Sequence, residues 1–485
     1  MKLTFFSGAG GNVIPSRILL GSTLLDCGDA VPEKKDPNYK AKFGQLIPKL
    51  VKTVLLSHAH TDHVDALCDF VKAGFHEKIE STGCTKEISK ALIEHNHVHN
   101  NDYSLVNSLF KLWQRPRNFL ERFEISDGIY ATFYPAGGHI LGASSILLEF
   151  EKEKLRVLYS GDLGNTNKHM LEVNGEVPEA DIVIMESTYG RREHHPNFEL
   201  SLKDLYEEIN KTYEKGGNPH IPALSINKLQ EALYHSNQGI EEGNIPEDIN
   251  IVVDSYLGEE ITEIYAREHN RKYFSDTAKN YFNNYSTTAP FHYTNQVTEG
   301  GKNIIIASSG LDGLRGQFKK YFKDLSNENN SVIVISHTLE GSPLYDIATG
   351  KERIGTNGKS IHLNARRLNL TGFASHADAT QLIEWFEKTR AKYVFLVHGE
   401  NDSRLNLKEM IASKGLCPAE RIILPALGEE FNPMNLPKAR NSCSVPSEIS
   451  TIPPTDNSAP KTMVIGGHEF PVKYQPPAKK KSMPK

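Results

Sequence analysis

Cysteine is scarce in this chain of 485 residues: there are five, at Cys27, Cys68, Cys84, Cys417 and Cys443, with no Cys-x-x-Cys pair. That excludes a disulfide framework and a cysteine zinc site, and it points to a reducing compartment, the cytoplasm. Long apolar runs are missing as well. No stretch reaches the roughly 18 consecutive apolar residues of a spanning helix, so no membrane segment is expected. The N-terminus reaches Gly8 too soon for the apolar core of a signal peptide. Positive charge is also short. The net charge is −5, and because residues 431–485 carry a net +5, the first 430 carry −10. Such a body gives no global pull on nucleic acid, which it could meet only through a local basic groove or bound cations. At 38% hydrophobic the chain has enough apolar material for two or three packed domains.

What is present is a dense run of metal-competent groups, Ser57-His58-Ala59-His60-Thr61-Asp62-His63, after the apolar residues Val51, Val54, Leu55 and Leu56. The apolar run reads as a buried strand, so the cluster sits where a strand gives way to a loop. In extended chain alternate side chains share a face, so His58 and His60 can grip one ion, while Asp62 and His63 serve a second beyond the turn. Imidazole and carboxylate suit Zn²⁺ and similar divalent ions. A lone histidine near a strand end is a surface hydrogen-bonding residue; four such groups in six positions are not.

Other isolated candidates stand at strand ends beside glycine. The opening segment from Leu3 reads as a hairpin or meander closing on Asp26, a turn residue by itself. A strand through Ala131–Tyr134 runs into Gly137-Gly138-His139, and a hairpin of Ser145–Phe150 with Arg156–Ser160 ends at Gly161-Asp162. Asp181–Met185 is a buried strand followed by Glu186-Ser187-Thr188-Tyr189-Gly190. From about 190 to 370 the pattern restarts, with helices over Ser201–Lys215 and Lys228–Asn237 and strands at Ile249–Asp254, Asn303–Ser308 and Ser331–Ser336. Strands alternating with helices predict a parallel α/β unit. Ser375-His376-Ala377-Asp378 then precedes a helix through Leu382, Trp385 and Phe386, and the strand Tyr393–Val397 delivers His398. A second histidine group, His95, His97 and His99, has no carboxylate among it and reads as a polar helix end or loop.

His-x-His-x-Asp-His after a buried strand resembles the signature of the metallo-β-lactamase superfamily. Glu186–Gly190, Ser375–Asp378 and the strand ending in His398 resemble the three motifs of its β-CASP branch, which processes nucleic acids. The resemblance spans residues 1–430. It implies an α/β fold: a four-layer αββα sandwich with an inserted parallel α/β cap. The sandwich would run over 1–190 and 371–430, the cap over 191–370, and a basic, disordered tail over 431–485, with a short strand at Met463–Ile465. Two Zn²⁺ are implied, with Mn²⁺ as substitute. His58, His60, His139 and Asp162 would hold one, Asp62, His63, Asp162 and His398 the other, and Asp26 would brace the histidine loop.

The implied function is a zinc-dependent ribonuclease, an endonuclease working by a two-metal hydroxide mechanism and leaving 5′-phosphate and 3′-hydroxyl ends. Asp62, His376 and Glu186 form the implied catalytic set, with His376 as general acid oriented by Glu186. His398 at the third motif marks RNA-cutting members, where DNA-repair members carry Val, so single-stranded RNA is the expected partner, with a homodimer by analogy. A small-molecule thioester or lactam hydrolase, a DNA nuclease and a metal-free scaffold are the alternatives. Departures from the family pattern are Asp65, where Gly commonly follows the cluster, and Asn227-Lys228, where Gly-Arg is usual. Ser336–Gly341 matches the later cap pattern only loosely.

Overall fold

A computed structural model describes residues 1–11, 15–29, 46–98, 103–168, 170–173, 175–284, 291–298, 302–356, 359–436, 462–465 and 468–471. His99, most of the tail expected to be disordered and its lysines Lys479–Lys481 lie outside these residues. The first residues of that tail are instead ordered: Phe431 pairs with Leu3, and Leu436 is buried in the core between the sheets. Contacts divide the chain into Met1–Ala439 and Arg440–Lys485. In the latter, Thr462–Ile465 pairs antiparallel with His468–Pro471, and the expected short strand falls within this hairpin.

Two sheets face each other in the larger unit. One runs in the order Glu430–Phe431, Leu3–Ser7, Arg17–Leu20, Thr23–Leu25, Thr53–Leu55, Lys78–Glu80. The other runs Ile422–Ile423, Tyr393–Val397, Ile182–Glu186, Leu155–Tyr159, Ser144–Phe150, Ile129–Pro135, Arg122–Ser126. The expected opening meander is the antiparallel trio beginning at Leu3. Period-2 alternation explains the layering, because both faces of each sheet are covered. Leu25, Leu55, Ile182, Ile184, Phe395 and Val397 fill the space between the sheets. Their neighbours Leu24, Val54, Val183, Met185, Val394 and Leu396 pack outward against helices. On the first sheet these are Leu67–Lys72 and Gly83–Val98; on the second, Ala379–Thr389 and Asn401–Ser413. This is the expected αββα sandwich.

The inserted unit is a five-stranded sheet in the order Asn250–Asp254, Asn303–Ser308, Pro219–Ala223, Ser331–Val334, Arg366–Asn369, parallel throughout. The helix expected at Ser201 begins at Phe198, because Asn197 accepts the Leu200 amide and caps it there. The helix from Lys228 continues past Asn237 to Glu241. The strand expected to reach Ser336 ends at Val334. Among the described residues no helix is long and apolar enough to cross a membrane.

Phe395 is fully buried between the sheets, its ring 5.4 Å from Phe5 and 5.0 Å from Phe431. Phe395→Ala should therefore cost about 3–5 kcal/mol of stability, read as a lowered midpoint in urea unfolding.

Candidate metal centre

Strand ends build the centre. After Thr53–Leu55 the chain passes His58 and His60 in extended form, then winds into the short helix Thr61–Val64, which turns Asp62 and His63 back towards them. Close packing beneath admits no side chain: a Cβ on Gly28 would stand 1.5 Å from the Asp62 carbonyl oxygen. Likewise a Cβ on Gly164 would meet the Gly137 carbonyl at 1.9 Å, so the loop after Asp162 can lie against the one presenting His139. Asp65 closes the short helix with φ −71°, a conformation that needs no glycine, and it accepts a hydrogen bond from Asn96.

All seven metal candidates converge. Nε2 of His58, Nδ1 of His60 and Nε2 of His139 face one point, with His60 Nδ1 3.1 and 3.0 Å from the other two. Asp162 Oδ2 joins them at 3.5 Å from His58 and 3.6 Å from His139. Tetrahedral ligands at metal–nitrogen distances of 2.0–2.1 Å stand about 3.4 Å apart, so the spacing fits an ion. On the other side, Asp62 Oδ2 lies 3.6 Å from His63 Nε2 and 3.2 Å from His398 Nε2. Asp162 Oδ2 is also 3.3 Å from His63 Nε2, so it faces both groups. Buried His63 Nε2 and Asp162 Oδ1 have no hydrogen-bond partner. Polar atoms orphaned inside a ring of donors mark a place for a cation. Burial pushes His58 and His139 well below the usual imidazole range and His60 down to about 4, leaving the neutral rings that metals bind. Burial would raise Asp162, but His398, His63 and His58 hold it ionised.

One carboxylate orients the loop. Fully buried Asp26 accepts the Ser57 amide and hydroxyl at 2.7 Å each, the Tyr159 hydroxyl at 2.8 Å, and lies 2.7 Å from His63 Nδ1. That leaves His63 Nε2 for the centre. Asp26 (φ 58°) and His398 (φ 48°) both adopt the left-handed conformation, strain that concentrates at functional sites. His398 is steadied by Thr188, whose hydroxyl is 3.1 Å from its Nδ1.

Beside the centre, His376 Nδ1 lies 3.2 Å from both oxygens of Glu186. Glu186 also accepts the amides of Leu163 (2.7 Å) and Thr188 (3.3 Å), so it is fixed. Burial opposes charge on His376, yet Glu186 and Asp162 lift its imidazole to about 9. His95 and His97 stay in the last turn of Gly83–Val98, outside every cluster of potential ligands among the described residues.

Sequence reasoning missed Tyr159, Thr188 and His195, whose Nε2 is 2.9 Å from the His376 carbonyl oxygen. Tyr159 and His195 are lone polar residues without a spacing signal, and Thr188, although inside the Glu186–Gly190 motif, was given no role.

Three family descriptions match in order: a β-lactamase superfamily domain over residues 24–214, a Beta-Casp domain over 229–347, and a Zn-dependent metallo-hydrolase RNA specificity domain over 360–425. The chain is 28% identical over 450 residues to a ribonuclease of Thermus thermophilus, covering 88% of this chain and 99% of that protein. It is 28% identical over 423 residues to the RNase aCSPSF2 of Saccharolobus solfataricus, covering 85% and 80%. It is 29% identical over 406 residues to an RNase J-like protein of Methanocaldococcus jannaschii, covering 80% and 89%. A crystal structure of a protein of unknown function from Enterococcus faecalis V583 shares the fold, with TM-score 0.52 at 14% identity over 89% of this chain and 99% of that one.

Asp26→Asn keeps the shape but cannot accept four donors. It should weaken metal affinity about 10–100-fold, measured by chelator competition, with the circular dichroism spectrum unchanged.

Proposed function

Because the chain belongs to the β-CASP branch of the metallo-β-lactamase superfamily, we propose that it is a zinc-dependent endoribonuclease cutting single-stranded RNA. The products are a 5′-phosphate and a 3′-hydroxyl. The observation that carries the reading is the Glu186–His376 pair set beside two converging donor groups, since a small-molecule hydrolase has no need of that separate acid. The names of the relatives support the substrate, as each of the three is an RNase or RNase-like protein.

In this reading His58, His60, His139 and Asp162 hold one ion, and Asp62, His63, Asp162 and His398 the other. A donor set of imidazole and carboxylate without thiolate suits Zn²⁺, with Mn²⁺ as substitute. A divalent pair bound there would supply a nucleophile at neutral pH and neutralise phosphate charge. The protein's own part is geometric. Asp162 spaces the two groups, and Asp62 faces the second of them, within reach of the incoming water. His376, its Nδ1 tied to Glu186, presents Nε2 to the departing 3′-oxygen and donates a proton there. Glu186 holds the ring's direction and favours its charged form. The cap, residues 191–370, reaches the segment that carries His376 through Lys228. Buried free thiols at Cys27, Cys84 and Cys417 support a cytoplasmic enzyme, and a homodimer follows by analogy within the branch.

On a 5′-labelled RNA the protein should give internal fragments, and a matched single-stranded DNA should be cut far more slowly. His376→Ala should retain its zinc and lose about 10²–10⁴-fold in rate. Turnover of a reporter thioester or lactam with intact RNA would overturn the reading. Chelation should abolish cleavage, and added Zn²⁺ or Mn²⁺ should restore it, as followed on the same gel.

A further inference from the structure

The segment Phe373–Ala377 carries His376, and four successive carbonyl oxygens in it are engaged from elsewhere in the chain. Asn165 donates its side-chain amide to Ala374 (3.2 Å) and its backbone amide to Ser375 (3.0 Å). His195 Nε2 meets the carbonyl of His376. The first carbonyl, that of Phe373, is met by Lys228 Nζ, reaching in from the cap.

Lys228 is not placed there casually. Asn227 before it has φ 70° and ψ −50°, and the Lys228 amide donates to Ile226 O at 3.0 Å. This is a γ-turn of the rare, strained kind, and it shows why glycine is usual at this position. Gln230 Oε1 accepts the Asn227 amide at 2.7 Å and fixes the turn. Glu231 then takes Lys228 Nζ at 2.9 Å, the Asn227 side chain at 3.2 Å, and Lys168 Nζ from the loop following Asp162. Lys168, Lys228 and Glu231 are each at most 4% exposed. Two ammonium groups against one carboxylate are costly to bury, and a joint serving stability alone would be better built from apolar side chains.

We propose that Lys228 is a positioning residue for proton donation: by holding the Phe373 carbonyl it sets where His376 stands against Glu186 and the leaving oxygen. The inference rests on the ribonuclease reading. In the step concerned, the oxygen of water bonds to phosphorus and gives up one proton to the solvent, from which His376 is later recharged, and the bond from phosphorus to the 3′-oxygen breaks with its electron pair. That oxygen takes the proton of His376. A 3′-bridging sulfur in the same linkage leaves as a thiolate and needs no proton.

The test compares kcat and KM for wild type, His376→Ala, Lys228→Met and Lys228→Gln on RNA carrying either linkage at one site. Zinc content is measured on all four proteins. Lys228→Met should lower kcat about 10–100-fold on the oxygen linkage with KM and zinc unchanged. Its deficit should vanish on the sulfur linkage, as that of His376→Ala does. Lys228→Gln, which keeps a donor for the Phe373 carbonyl, should recover part of the rate. Sulfur rescue of His376→Ala without rescue of Lys228→Met overturns the inference alone. So does full activity, or loss of zinc, in Lys228→Met. A wild type that cuts neither RNA sinks the ribonuclease reading, and this inference with it.

Discussion

The geometry of the centre depends on one buried carboxylate. Asp26 sits just beyond the strand Thr23–Leu25 in a strained conformation, and donors from the histidine loop and from the opposite sheet close on it. Ser57 and His63 belong to the histidine loop, so their bonds fix both ends of that loop and the ring nitrogen that His63 turns towards the centre. Tyr159 belongs to the opposite sheet, and its hydroxyl also meets Ser16 at 2.9 Å. The same carboxylate therefore sets the loop and ties the two sheets where they open. Burying an anion so completely is costly unless every lone pair is used. Here that requirement itself enforces the arrangement.

Above the loop, the cap is fastened to the centre by polar joints. Tyr265 accepts the amide of Leu141, just beyond His139, and donates to Asn227. Asn227 continues to Glu231, and Glu231 to the two lysines. A displaced cap would thus reach His139 and His376 through bonds of fixed length, without any contact to an ion.

The histidine loop was legible because so dense a cluster after an apolar strand makes sense chiefly as a set of ligands, and strand alternation assigns its faces. The inner strands were legible as buried, since runs such as Ile182–Met185 and Val394–Val397 are apolar on both faces, but their assembly into a sandwich was implied only by the resemblance. Glu186, His376 and His398 are different. The whole cap separates the first from the other two, and only resemblance to a family brought them together. Of the supporting network, only Asp26 and Glu186 were anticipated, and only through the same resemblance. Tyr159 closes an ordinary apolar strand, His195 lies within a loop, and Lys228 opens a helix where exposure is the default expectation. The cap's fifth strand, Arg366–Asn369, alternates half-buried with exposed residues and carries two arginines, so it reads as surface until its parallel pairing is seen. Helix ends moved by a few residues where a cap such as Asn197 decides the boundary.

The return strand Tyr393–Val397 lies inside the seven-stranded sheet, paired in register with Ile182–Glu186 although the entire inserted unit separates them along the chain. The bridges Gly164 with His376 and Tyr189 with Asp378 close at the same seam. Contacts so distant along the chain form late, after the intervening unit has taken shape. On a ribosome, where synthesis proceeds from the N-terminus, the segment up to Gly190 emerges with a histidine loop but without His376, His398 or the strand that seats them. Under the proposed assignment of these residues, a growing chain beside its own messenger is therefore incomplete at its centre until the segment that follows the cap has been made.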